Sequence, residues 1–125
     1  DIIWMSHVLE HLTKPLQFFE NIRKNMKTEG ILLIEVPNCE HDSMLNSSIF
    51  LLPHTFHFTK NSLINLAKKA GFSVVKCDVL RPATKIEGIV NKLTKSRLKN
   101  FQYYPRMVTN NKKGRFLRLI LKIDN

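Results

Sequence analysis

Ile31-Leu32-Leu33-Ile34-Glu35-Val36 is a nearly continuous apolar run, broken by one acid and not alternating with polar residues. A strand buried on both faces reads this way, as in a parallel sheet covered by helices. Asp1-Ile2-Ile3-Trp4-Met5 has the same character. Between the two lie Leu16, Phe19, Ile22 and Met26 at helical spacing, with Thr13 placed to cap and Pro15 in the tolerant first turn. Arg23, Lys24 and Lys27 crowd the far end, where the helix dipole favours cations, and Gly30 stops the helix. A second helix follows Thr59, with Leu63, Leu66, Ala67 and Ala70 on one face and Gly71 as terminator. Phe72 to Val79 reads as a third strand. The order β-α-β-loop-α-β is that of a partial doubly wound α/β parallel sheet with helices on its faces and right-handed crossovers.

At 125 residues the chain has room for one domain. Its 43% hydrophobic and 24% charged residues exclude a disordered or fibrous protein. No apolar stretch approaches the roughly 20 residues of a membrane span, and no secretory signal pattern opens the chain. Cys39 and Cys77 match neither a metal knuckle nor a redox pair, which fits a reducing, cytoplasmic setting. The net charge of +10 is unevenly placed: residues 1–80 balance to zero and residues 81–125 carry all of it. Two regions follow, an α/β body over 1–80 and a basic extension over 81–125. Within the extension an amphipathic helix is expected at 85–99 and a strand at 116–123, where Leu117, Leu119, Leu121 and Ile123 alternate with other residues. Because the first strand begins at residue 1, earlier strands of the sheet are expected to be missing. Trp4 is expected in the core.

Open α/β sheets bind ligands beyond the carboxyl ends of their strands. The first strand delivers Ser6-His7-Val8-Leu9-Glu10-His11 to that rim, and the second delivers Pro37-Asn38-Cys39-Glu40-His41. Pro53-His54-Thr55-Phe56-His57-Phe58 leads into the second helix from the same side. All five histidines fall in these three connections and none in a strand.

Asp1-Ile-Ile-Trp-Met-Ser-His-Val-Leu-Glu-His-Leu-Thr-Lys-Pro15 resembles the fourth strand and following turn of class I S-adenosylmethionine-dependent methyltransferases, whose fold is Rossmann-like. Met26 to Asn38 resembles the next helix end and strand, with Thr28-Glu29 departing from the usual Leu-Lys-Pro-Gly-Gly. His57-Phe58-Thr59, Ser62-Leu63 and Ala70-Gly71-Phe72 resemble the segment leading into the sixth strand, so the resemblance runs from Asp1 to about Val79. It implies S-adenosyl-L-methionine as cofactor, bordered by Ser6, His7 and Val8. Glu10 and His11 would lie at the cleft floor, with His11 or His57 as general base and Asn38 and His54 on the acceptor side. A histidine suits proton removal because its pKa lies near working pH. The acceptor implied is a small molecule, a lipid or a glycan. The family's glycine-rich cofactor turn is absent from this sequence, whose four glycines are scattered, so the fragment is expected to bind cofactor weakly and to be inactive alone.

Other readings of the same residues stand beside this one. Glu10 and His11 can simply tie the turn by hydrogen bonds, and His57 can pack between Phe56 and Phe58. His7-Val-Leu-Glu-His11 also satisfies the H-x-x-E-H signature of inverzincin zinc peptidases, which requires an unbroken helix through the motif. The methyltransferase reading itself assigns no metal ligand. The basic extension, with Phe101, Tyr103 and Tyr104 among its cations, suits a non-catalytic module binding nucleic acid or an anionic membrane surface. A solvated basic face accounts for the same composition.

Overall fold

The computed structural model describes residues 1–51, 54–82, 84, 106–112 and 114–124. The expected helix over 85–99 and the aromatics Phe101, Tyr103 and Tyr104 lie outside these residues. Strand β1 (Ile2–Ser6) is followed by a 3-10 turn at Leu9–His11, helix α1 (Pro15–Asn25) and strand β2 (Ile31–Pro37). Helix α2 (Asp42–Asn46) continues into a π turn at Ser47–Leu51; helix α3 (Lys60–Lys69) and strands β3 (Phe72–Pro82), β4 (Arg106–Val108) and β5 (Phe116–Ile123) complete the order.

The five strands form one sheet in the order β1-β2-β5-β3-β4. β1 and β2 are parallel, whereas β5 runs antiparallel to both β2 and β3. β1, β2 and β3 therefore share a direction, as expected. They are not three adjacent strands, however: β5 is inserted between β2 and β3, which makes the sheet mixed. The alternation in β5 turns one face of that strand to the core, as is common for antiparallel strands.

Leu117, Leu119 and Leu121 are fully buried and pair with Val36, Ile34 and Leu32 in turn. This row faces α1 and α3, where Phe19, Leu63 and Ala67 are equally buried. Phe19 meets Phe72 edge-on, with ring centroids 5.8 Å apart. The opposite row pairs Trp4 with Leu33, Leu33 with Ile120 and Glu35 with Arg118. Trp4 lies on that row, on an edge strand, and is 56% exposed, which corrects its expected place in the core. Glu35, fully buried, accepts hydrogen bonds from Nε and Nη2 of Arg118 at 3.1 and 2.8 Å.

Local chemistry explains the helix ends. Thr59 and Ser62 form a reciprocal capping box at α3, and Gly71 closes that helix at φ +80, where a Cβ is disfavoured. Lys14, not Thr13, occupies the N-cap of α1 and makes no side-chain capping bond; the proline in the first turn leaves one fewer N–H to satisfy.

Candidate functional site

The common direction of β1 and β2 brings Ser6–His11 and Asn38–His41 to one rim, and backbone bonds attach the third segment to it. The Glu10 carbonyl accepts from the amides of both Thr55 and Phe56, at 2.9 and 3.1 Å. Cys39 donates its amide to the Phe58 carbonyl at 2.9 Å, and His54 donates its own to Ser48. The loop before α3 is thus sewn to the turn after β1 and to the end of β2.

His7, directly after β1, has φ +56, a left-handed conformation that costs a non-glycine residue on the order of 1 kcal/mol or more. The turn points its Nδ1 at Glu10 Oε1, 3.1 Å away. Its ring also meets Phe116 edge-on at 5.6 Å, which joins the turn to the start of β5. Glu10 is 1% exposed, and its Oε2 has no hydrogen-bond partner among the described residues. The rings of His11 and His54 stand edge-to-face, 4.7 Å between centroids. Burial pushes the His54 imidazole below its ordinary pKa, opposed by the Glu10 carboxylate and reinforced by the neighbouring histidines. Burial likewise raises the Cys39 thiol, despite hydrogen bonds from Ser48 and Phe58.

The H-x-x-E-H segment is not helical throughout. It is a left-handed residue followed by a 3-10 turn of three residues, so His7 and His11 do not share a helical face. The inverzincin geometry is therefore absent. The partner of His11 is His54, brought from the distant loop.

The remaining expected site residues separate. Asn38 is buried, and its amide nitrogen donates to the carbonyls of Lys112 and Gly114 at 3.0 and 2.7 Å. Its Oδ1 accepts from the Glu40 amide, so the side chain is a strut between β2 and the loop before β5. His57 is exposed, and His41 begins α2 with its Nδ1 3.0 Å from the Ser43 hydroxyl. An open groove of about 470 Å³ lies on the same rim beside His41, lined by Arg81, Thr109 and Arg115. Composition singled out neither arginine, because only the pairing of β3 with β5 places them together. Val8 is 39% exposed and presents apolar surface at the mouth of the rim.

The sequence profile of the methyltransferase-domain family matches residues 1–77. The chain belongs to that family. Its fold is shared by solved S-adenosylmethionine-dependent methyltransferases at low identity. The enzyme from Thermotoga maritima superposes with a TM-score of 0.66 at 16% identity, over 99% of this chain and 56% of that one. The Archaeoglobus fulgidus methyltransferase gives 0.64 at 18% identity, over 98% and 58%. The Mesorhizobium loti methyltransferase gives 0.64 at 11% identity, over 98% and 61%. The chain thus spans little more than half the length of these structures. No curated protein matches it. S-adenosylmethionine is the cofactor that goes with the family, and the class I assignment drawn from the motifs agrees with both comparisons.

The turn after β1, expected from the sequence to border that cofactor, lies on this rim. Val8 offers exposed apolar surface at the carboxyl end of β1, next to a turn held in a strained conformation. No glycine-rich turn is present in the sequence to cradle the other side. Among the described residues no helix is long and apolar enough to cross a membrane.

Proposed function

We propose that this chain forms the acceptor-side half of a methyltransferase domain, with residues 1–80 as its α/β body and 81–125 as a basic extension whose last strand, β5, completes the sheet of that body. The observation carrying this reading is the convergence of the turn after β1, the end of β2 and the loop before α3 on one rim. Bound S-adenosylmethionine supplies an electrophilic methyl group on a sulfonium; the protein's part is alignment, water exclusion and proton removal. Ser6, His7 and Val8 border the cofactor, and the His7–Glu10 bond fixes the turn that carries them. His11 or His57 takes the proton of the acceptor, and the Glu10 carboxylate stabilises the imidazolium formed at His11. Asn38 acts by holding the rim in place, and His54 lies at the acceptor side. Arg81 and Arg115 in the neighbouring groove favour an acceptor carrying an anionic group, whether small molecule, lipid or glycan. The chain alone is inactive, for want of a glycine-rich cradle.

The test is transfer of labelled methyl in the protein that carries this chain, comparing His11→Ala and His57→Ala with the parent. A loss of about 100-fold or more in one variant supports the base assignment. Unchanged rates in both remove the two histidines from the mechanism.

A further inference from the structure

Glu10, His11 and His54 form a cluster that the methyl-transfer reading uses only in part. One ligand atom from each lies within 4.8 Å of the other two. Two of these groups carry atoms with unmet bonding needs. Glu10 Oε2 is buried in a side chain only 1% exposed and has no partner among the described residues. His54 Nδ1 is also buried without one. Buried polar atoms are rarely left so, and coordination to an ion is one way in which such atoms are satisfied.

We infer that Glu10, His11 and His54 bind a divalent first-row transition cation such as Zn²⁺. One carboxylate with two imidazoles is a donor set that such ions favour. Metal–ligand bonds of about 2.0–2.2 Å put tetrahedral neighbours roughly 3.4 Å apart. The three atoms therefore close on an ion by side-chain rotation. His54 sits in a loop and is only partly buried, so it can supply that movement. The loop is already anchored, because the Glu10 carbonyl holds the amides of Thr55 and Phe56.

His7 completes the arrangement from outside. Its ring nitrogen 3.1 Å from Oε1 orients the carboxylate, leaving Oε2 for the ion. Such supporting bonds commonly change metal affinity by about 10- to 100-fold. Three protein ligands leave a fourth position open, the pattern of a site that also binds substrate or water. With the ion bound, His11 is a ligand, and proton removal falls to His57. The ligand set is not the H-x-x-E-H one, since His7 is replaced by His54 from a distant loop.

The inference does not depend on methyl transfer, and its readout is the ion alone. Zn²⁺ is titrated calorimetrically into the 125-residue chain, with Co²⁺ absorption as a second probe. We expect one ion per chain and Co²⁺ bands of nitrogen and oxygen ligation without thiolate charge transfer. Glu10→Gln and His54→Ala each weaken binding at least tenfold, whereas His41→Ala and His57→Ala leave it unchanged. Should Glu10→Gln fail to fold by circular dichroism, His54→Ala, on the loop, decides alone. Absence of saturable binding, survival of tight binding in His54→Ala, loss of it in His41→Ala, or thiolate bands from Cys39 or Cys77 would each overturn the site.

Discussion

Replacing Asn38 with alanine separates a strut from a substrate contact. The side chain is buried and makes three hydrogen bonds, to the carbonyls of Lys112 and Gly114 and from the amide of Glu40. The bond to Gly114 is buried, so its loss leaves a carbonyl without water and costs about 1–3 kcal/mol. The other two groups lie nearer solvent and lose about 0.5–1 kcal/mol each. The sum, about 2–5 kcal/mol, is a large share of a small domain's stability. With a urea m value of about 1.5 kcal/mol/M, the unfolding midpoint falls by roughly 2 M. Asn38→Asp is at least as damaging, because it sets a carboxylate oxygen against two carbonyls. Urea unfolding followed by circular dichroism measures the shift. A midpoint for Asn38→Ala within about 0.3 M of the parent would refute the strut, since the three bonds would then contribute under about 0.5 kcal/mol.

Other outcomes follow from the same geometry. Arg118→Met strips two hydrogen bonds from the buried Glu35 carboxylate and lowers stability by about 3 kcal/mol, while adding Glu35→Gln recovers most of the loss; urea midpoints of the single and double variants check both. The lowered His54 pKa means the unfolded chain binds more protons below its ordinary value of 6.5, so stability rises with pH through that window and levels off above it. In His54→Gln the acid side of the pH–stability curve flattens; an NMR titration placing His54 at or above 6.5 would contradict the cause. The raised pKa of Cys39 and Cys77, both half-buried, makes them react with a disulfide reagent more slowly at pH 8 than after unfolding in urea, with equal rates in the two states as the contrary result.

Periodicity made most of the fold legible. The apolar runs at Ile31–Val36 and Phe72–Val79 and the stripe from Leu16 to Met26 mark elements whose type depends on local spacing. Thr59 and Gly71 end α3 through local chemistry of the same kind. What spacing cannot show is lateral order. The place of β5 between β2 and β3 depends on long-range pairing of Leu117, Leu119 and Leu121, and Trp4 was misplaced for the same reason: a continuous apolar run does not say whether a strand lies at an edge. The site divides along that line. The rim was readable because strand direction gathers the turns; the contact between His11 and His54 was not, because it depends on the bonds of Thr55 and Phe56 to the Glu10 carbonyl. The commitment of Asn38 to Lys112 and Gly114 was not readable, since its partners lie more than seventy positions away.

The claim on which the rest depends is that the turn after β1 forms a wall of the cofactor site. Titrating S-adenosylmethionine into the isotopically labelled chain and following backbone amide shifts tests it most directly. The account predicts weak binding, with a Kd above about 100 μM, and shift changes centred on Ser6, His7 and Val8. Changes centred instead on Gly30, Ile31 and Gly71 at the opposite end of the sheet, or no change at millimolar cofactor, would contradict it.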